Sequence, residues 1–196
     1  MTERDRTPAP VAAALSVDAD DAALVRDSLA GRADAFDAIV RRHQRSIYQL
    51  CYRFLGNHED ASDAAQEVFL RAFRGLRNFK GDSAFATWLY RIGVNACLNR
   101  VSARGPQTVP LDTSEIAADH RDNPASALLR TERSQRLRTA IARLPPKQRT
   151  TLILRVYHEL SHQEIADIVG GSVGAAKANF FHALQSLKRI LSTEAL

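Results

Sequence analysis

The stretch Ser161-His-Gln-Glu-Ile-Ala-Asp-Ile-Val-Gly-Gly-Ser-Val-Gly-Ala-Ala-Lys177 decides how the C-terminal part of this 196-residue chain folds. Ser161 stands three residues before Glu164, and this spacing is the capping box that begins a helix. Gly170 supplies the backbone freedom for a tight turn, and Ser172 is placed to cap a second helix. The stretch therefore predicts two helices joined by a short turn, as in a helix-turn-helix.

The interior of this motif needs small and apolar side chains. Ala166 is small where the second helix must cross close to the first. The angle between the helices is predicted to be filled by Ile165, Val169 and Val173. The second helix could then present polar and aromatic side chains to a DNA groove. The candidates for these contacts are Ser172, Lys177, Asn179, Phe181 and His182. An ordinary helical hairpin in a bundle is the alternative.

The sequence on the N-terminal side of this motif is also helical in pattern. Apolar residues recur at intervals of three and four from Asp21 to about Val101 and again after Pro124, and no strand pattern is seen. Residues 1–19 are rich in Pro, Ala and Asp and are expected to be a disordered tail. Residues 104–124 lack periodicity and are expected to be a flexible linker. The predicted fold is all-α, with two small helical domains at 20–103 and 125–196.

Charge is distributed unevenly along the chain, although the formal net charge is only +5. Residues 71–104 contain seven basic and one acidic side chain, and residues 126–196 contain eleven and five. The intervening residues 105–125 contain one basic and four acidic side chains. Two basic blocks separated by an acidic spacer favour two contacts with a polyanion. Solvation of ordinary helix faces is the alternative.

Several other classes of protein lack support in the sequence. No apolar run approaches the roughly 20 residues that span a bilayer, and the N-terminus does not read as a secretory signal, so a cytoplasmic location is expected. Cys51 and Cys97 fall on apolar helix faces and are expected to be buried free thiols. We find no nucleophile elbow and no phosphate-binding glycine loop. No cofactor and no small-molecule substrate are expected.

One short motif favours a rival function. His158-Glu159-Leu160-Ser161-His162 matches the H-E-x-x-H pattern of zinc hydrolases, which requires both imidazoles on one helix face. Because Ser161 is predicted to be an N-cap, the two histidines should lie on either side of a helix boundary. We therefore expect no metal site, and a zinc hydrolase using His158 and His162 remains a remote alternative.

The segment 63–95 resembles region 2 of the extracytoplasmic-function (ECF) sigma factors, which belong to the sigma-70 family of RNA polymerase subunits. The family pattern is Asp-x-x-Gln-Glu-x-Phe, then a Phe-x-Gly loop, then Trp-Leu-x-x-Ile-x-x-Asn. This chain supplies it with Asp63, Gln66, Glu67, Phe69, Phe79, Gly81, Trp88, Leu89, Ile92 and Asn95. Leu-Pro-Pro-Lys-Gln-Arg at 144–149, with the helix-turn-helix after it, resembles region 4 of the same family. No segment resembles region 3 or region 1.1, which is typical of the minimal two-domain class.

The resemblance implies roles for individual residues. Contact with core RNA polymerase, at the clamp of its largest subunit, would use Asp63, Gln66, Glu67, Arg71 and Phe73. Recognition and melting of the −10 promoter element would use Lys80, Phe85, Trp88, Arg91, Asn95, Asn99 and Arg100. The helix-turn-helix residues given above would read the −35 element, with region 4 held at the polymerase flap.

The resemblance also implies regulation. Members of this family are usually held inactive by an anti-sigma factor that is often membrane-bound, so the chain could be kept at the inner membrane until a signal releases it to the nucleoid. The linker would permit a compact inhibited arrangement as well as an extended one. The chain is not expected to be an enzyme. The main alternative is a two-domain helix-turn-helix regulator that acts without joining polymerase.

Overall fold

The computed structural model describes residues 11–103 and 124–193. Throughout these two ranges the regular structure is helical, which confirms the predicted all-α class. The elements are α1 (Val11–Leu29), α2 (Ala33–Leu55), α3 (His58–Gly75), a 3-10 turn (Leu76–Asn78), α4 (Phe85–Ala103), α5 (Pro124–Ala142), α6 (Pro146–Tyr157), α7 (His162–Val169) and α8 (Val173–Thr193).

Helices α1 to α4 form the first group around a core in which α2 is central. The apolar positions of α2 recur at helical spacing, and Ile39, Ile47, Leu50 and Phe54 are fully buried. Helix α4 crosses α2 closely at Gly93, where a Cβ atom would lie 2.9 Å from Leu50 Cδ2. Asp21 anchors α1 on α2, since its carboxylate bonds His43 Nε2 at 2.9 Å and Arg42 Nη1 at 2.8 Å.

Helices α5 to α8 form the second group. Pro146 occupies the first turn of α6, where its missing N–H costs no hydrogen bond. Three consecutive side chains of α6, Leu152 to Leu154, are buried, and they are accompanied in the core by Ile165 and Ala183. The helix-turn-helix of α7 and α8 is therefore supported on one side by α6.

Two boundary predictions differ from the structure. The prediction of disorder over residues 1–19 is wrong for 11–19, because α1 begins at Val11. Three consecutive alanines follow Val11, and alanine has the highest helix propensity of all residues, which outweighs the lack of apolar periodicity there. Residues 1–10 lie outside the described part of the chain. Residues 104–123 of the predicted linker do as well, and Pro124, its last residue, begins α5.

The two helical groups pack directly against each other. Helix α4 lies against α7, and α2 lies against α6. Sequence patterns predicted two separate domains but not these contacts between them.

Cys51 and Cys97 lie together in the core of the first group. Both are fully buried free thiols, as predicted. The neighbouring Cys51 side chain raises the pKa of Cys97, and burial raises it further.

Candidate nucleic-acid and polymerase interface

The helix-turn-helix is built from the capping interactions that the sequence predicted. The Ser161 hydroxyl accepts from the Glu164 backbone N–H at 3.2 Å, and the Glu164 carboxylate accepts from the Ser161 backbone N–H at 2.7 Å. Gly170 follows α7 with φ of 71°, in the left-handed region that favours glycine. The Ser172 hydroxyl then accepts from the Ala175 backbone N–H at 3.1 Å. Local hydrogen bonds therefore fix where α7 begins and ends and where α8 begins.

The packing inside the motif differs from the prediction at one position. Ile165 and Ala166 are buried, but Val169 is 39% exposed. Val169 is the last residue of α7, where the chain turns away, so α8 does not cover its side chain. Ile168 is buried in its place, with 3% exposure.

The DNA-binding candidates on α8 do not all share one face. Lys177, Phe181 and His182 are exposed, and Phe181 retains 57% of its surface. At about 100° per residue, Phe181 lies about 40° around α8 from Lys177, whereas Asn179 and His182 lie about 160° and about 140° from it. Lys177 and Phe181 therefore share a face, which neither the partly buried Asn179 nor the exposed His182 joins. Ser172 is exposed, but its hydroxyl is used by the cap. Sequence reasoning missed Leu184, which is 46% exposed beside Phe181. The sequence signal for it was that Leu184 falls outside the apolar stripe of α8.

The two histidines of the H-E-x-x-H segment do not converge on one helix face. His158 follows the end of α6, and His162 is the first residue of α7, as the predicted cap required. His158 Nδ1 instead forms a 2.9 Å hydrogen bond with the Tyr90 hydroxyl of α4. Burial, together with the nearby charge of Arg53, lowers the pKa of His158 to about 4. Within residues 11–103 and 124–193, no group of three His, Cys, Asp or Glu side chains could hold a metal ion.

The predicted polymerase-binding residues lie along the outer side of α3. Asp63 and Gln66 are exposed, and the Phe73 ring is 59% exposed while its edge packs on Phe36 at a centroid distance of 4.9 Å. Leu70 is 55% exposed on the same side, and sequence reasoning did not predict it as an interface residue. Its position outside the apolar stripe of α3 is the sequence signal that could have identified it. A mixed polar face with exposed Leu and Phe is typical of a protein interface.

An ion-pair network occupies one edge of this face. Arg71 Nη2 contacts Glu67 Oε1 at 2.6 Å, and Arg100 Nη2 of α4 contacts Glu67 Oε2 at 3.4 Å. The hydrogen bond from Arg71 and the charge of Arg100 lower the pKa of Glu67. Arg100 also reaches the Asp60 carbonyl at 3.5 Å. The structure therefore places Arg100 with the α3 residues, and not with the other −10 candidates.

The −10 candidates divide into buried and exposed residues. Phe85 is only 3% exposed because the first turn of α4 faces the core, so its ring is not available to a base in this arrangement, and its role at the −10 element stays a prediction. Trp88 is half-buried and packs on Phe79 and Phe85, with centroid distances of 5.2 and 5.6 Å. The exposed candidates are Lys80 in the loop before α4 and Arg91, Asn95 and Asn99, which follow each other at i, i+4 and i+8 on α4.

The loop before α4 (residues 79–84), which contains the −10 candidate Lys80 and is here called the −10 loop, lines a cleft of about 760 Å³ together with the helix-turn-helix. One wall contains Lys80, Asp82 and Trp88, and the other contains α7 and Gly170. Arg91 also lines the cleft, and its Nη2 donates to the Asp167 carbonyl of α7 at 2.6 Å. Fold and site together define a two-domain helical protein with a helix-turn-helix, an exposed α3 face and a row of exposed Arg and Asn side chains on α4.

The family matches cover both helical groups. Residues 39–106 match sigma-70 region 2, and residues 134–187 match sigma-70 region 4. The chain is 38% identical over 180 residues to the RNA polymerase sigma-H factor of Pseudomonas aeruginosa, which covers 87% of this chain and 93% of that protein. It is 37% identical to the ECF RNA polymerase sigma factor SigW of Bacillus subtilis, covering 82% and 91% of the two chains.

Solved structures show the same fold. CnrH in complex with the cytosolic domain of CnrY aligns with a TM-score of 0.67 and 25% identity, covering 89% of this chain and 98% of that one. The sigma factor RpoE of Bartonella quintana, solved with the anti-sigma factor NepR, aligns with a TM-score of 0.62 at 19% identity over 80% and 96% of the two chains. This chain belongs to the ECF sigma factors of the sigma-70 family.

Proposed function

We propose that this chain binds core RNA polymerase through the outer side of α3 and directs it to promoters. The observation that carries the proposal is the exposed face of Asp63, Gln66, Leu70 and Phe73 inside the region that matches sigma-70 region 2. Exposed apolar anchors among polar side chains suit a partner protein better than water or DNA. Glu67 and Arg71 border this face and contribute charge to it.

Promoter recognition would use the two basic regions separately. Lys80, Arg91, Asn95 and Asn99 present cations and amides that can hold the backbone and base edges of the −10 element. Trp88 acts mainly by supporting the −10 loop, since its ring packs on Phe79 and Phe85.

The −35 element would be read by α8. Lys177 and His182 can contact phosphates or base edges, and Phe181 supplies an apolar contact such as a thymine methyl group favours. Ser172 sets the start of the helix, and Asn179 is expected to contribute less because its side chain is partly buried.

An anti-sigma factor is the proposed regulatory partner. CnrH was solved with the cytosolic domain of CnrY, and the Bartonella protein was solved with an anti-sigma factor, so related folds form such complexes. Exposed apolar residues on both groups, including Phe73 and Leu184, offer binding sites for such a partner. No helix in the described part of the chain is long and apolar enough to cross a bilayer. We propose that the protein works in the cytoplasm and is released there when its inhibitor is removed.

In vitro transcription with bacterial core polymerase and a library of genomic promoter fragments tests this function. The unchanged chain should produce specific transcripts that core polymerase alone does not. Asp63→Lys combined with Leu70→Ser should abolish binding to core, because it removes both the charge and an apolar anchor. Structural damage should be limited, since both side chains are exposed.

A matched variant distinguishes loss of the docking face from a change in the net charge of the protein. Glu132→Lys makes the same charge change at an exposed position of α5 and should leave transcription intact. Tight sequence-specific DNA binding by the chain alone, without any binding to core polymerase, would overturn the proposal in favour of a regulator that works without polymerase.

A further inference from the structure

Asp21 of α1 and His43 of α2 form a buried polar pair close to the −10 loop. The Asp21 side chain is fully buried, His43 is 6% exposed, and the Asp21 carboxylate bonds His43 Nε2 at 2.9 Å. Compared with well-packed apolar side chains, a buried carboxylate and its partner add little net stability, because desolvation offsets much of their attraction. The pair does supply direction, since a hydrogen bond prefers one geometry and apolar packing is much less directional. Asp21 therefore fixes the orientation of the His43 ring.

The His43 ring packs on the aromatic cluster that holds the −10 loop. The ring centroids of His43 and Phe85 lie 5.8 Å apart. Phe85, which follows the loop, contacts Phe79, its first residue, edge to face at 5.6 Å, and Trp88 packs on both rings. The cluster therefore joins the two ends of the loop, and the His43 ring is part of the surface on which the cluster rests.

Helix α1 contacts both elements that flank the −10 loop, which are the 3-10 turn before it and α4 after it. Asp21 also accepts from Arg42 Nη1 at 2.8 Å, but the Arg42 side chain is 33% exposed and pairs with the exposed Asp20 as well. Helix α1 precedes the residues 39–106 that match sigma-70 region 2. Support for the −10 loop therefore starts in a helix outside that region.

We propose that Asp21 and His43 are positioning residues for promoter recognition, which hold the −10 loop in the shape that binds the −10 element. This inference rests on the proposed function and deepens it, because it adds α1 to the elements on which promoter reading depends. If a loosened cluster leaves the loop in the competent shape for about a tenth of the time, the apparent affinity for the −10 element falls about tenfold. Docking on core polymerase uses the outer side of α3 and should not change.

The test uses the full-length chain and its complex with bacterial core polymerase. His43→Gln keeps an N–H group that can bond Asp21 but removes the ring that packs on Phe85. Arg42→Gln is the matched control, because it removes the other partner of Asp21 and leaves the His43 ring in place. The DNA probe is a single-stranded non-template fragment that spans the −10 element of a promoter selected by the transcription assay. Its affinity for the complex is measured beside the affinity of each chain for core polymerase.

Trp88 reports on the cluster directly, because it is the only tryptophan in the sequence. Its ring is half-buried against Phe79 and Phe85, so a loosened cluster should make it more accessible to acrylamide. Fluorescence quenching is measured on the free chain, where no other protein contributes tryptophan emission. The quenching constant should rise in His43→Gln and stay unchanged in Arg42→Gln.

The two binding measurements and the quenching decide the inference together. It is supported if His43→Gln loses about tenfold in −10 affinity and gains quenching while core affinity is unchanged, and Arg42→Gln does neither. A parallel loss of −10 and core affinity overturns it, because general destabilisation would explain both. Unchanged −10 affinity in a folded His43→Gln variant also overturns it, as does a loss without a change in quenching or an equal loss in Arg42→Gln.

A second variant covers the case in which circular dichroism shows His43→Gln to be unfolded. Asp21→Asn then decides by the same criteria, because a neutral amide oxygen accepts the bond of His43 more weakly than a carboxylate.

The two proposals fail in distinguishable ways. If His43→Gln gains quenching but the unchanged chain neither binds core polymerase nor supports transcription, the pair still positions the loop and the proposed function is wrong. If the unchanged chain and His43→Gln transcribe and bind the −10 strand equally well, the proposed function stands and the positioning role is wrong.

Discussion

The burial of His158 between the two groups makes the closed arrangement sensitive to pH. In the closed chain its pKa is lowered from 6.5 to about 4, chiefly by burial and then by the charge of Arg53. In an open chain the ring would meet water and regain a pKa near about 6.5. The closed form has the lower pKa, so its stability is complete above pH 6.5 and is lost progressively as the pH falls towards about 4.

The magnitude follows from proton binding in the two forms. At pH 5, proton binding to an exposed imidazole with a pKa of about 6.5 favours the open chain by a factor of about 33. Proton binding to the buried imidazole, with its pKa of about 4, favours the closed chain by a factor of only about 1.1. The ratio of closed to open chain should therefore fall about thirtyfold relative to pH 7.5, or about 2 kcal/mol. The other groups that face the ring are Arg53 and Tyr90, and burial raises the pKa of Tyr90, so the Tyr90 hydroxyl stays neutral over this range.

The assay uses the full-length chain with spin labels at Gln49→Cys and Gln185→Cys, which are exposed positions of α2 and α8. Its distance distribution should shift towards longer values between pH 7.5 and pH 5, while circular dichroism shows that the helices remain. His158→Gln keeps a polar side chain but cannot titrate, so it should remove most of the shift. An equal shift in His158→Gln, or a His158 pKa near 6.5 measured by NMR in the closed chain, would refute the reasoning.

Three further predictions concern stability and can be measured by urea unfolding followed by circular dichroism. Gly93→Ala should destabilise the first group by about 1–3 kcal/mol, because its Cβ would lie 2.9 Å from Leu50 Cδ2 at a close helix crossing. Ser161→Ala should cost about 1 kcal/mol through loss of the N-cap of α7, and Ser161→Thr should restore most of it. Asp21→Asn should cost about 2 kcal/mol. Burial raises the Asp21 pKa, but the bonds from His43 and Arg42 lower it overall, so the Asp21 contribution is present above the unfolded pKa and is lost as the pH falls. An unchanged unfolding midpoint in any of these variants would contradict the contact on which it rests.

The sequence determined the parts of this protein that depend on neighbours three or four residues away. The capping box of Ser161 and Glu164, the turn at Gly170 and the cap at Ser172 are all satisfied within one helical turn, so the residue types alone predict them. Apolar periodicity fixed the helices for the same reason. The exposure of Asp63 and Gln66 on α3 follows the same rule, because an amphipathic helix has only one buried stripe.

Only the tertiary structure decided contacts between residues that are distant in the sequence. Arg100 has the chemistry of a DNA contact, and its pairing with Glu67 depends on how α4 lies across α3. Phe85 has the chemistry of a stacking platform, and its burial follows from the direction in which α4 enters the core.

The packing of the two helical groups is the largest feature that the sequence did not determine. Arg149, Tyr90 and His158 each have side chains that could equally face water, and no local pattern pairs them. The contacts arise because α6 packs against α2 and α7 packs against α4. This packing depends on the shapes of surfaces that exist only once several helices have assembled. The sequence by itself thus determined the helices, their caps and the family, because these depend on short-range rules. The relation between the two DNA-binding surfaces is long-range, and only the folded chain decided it.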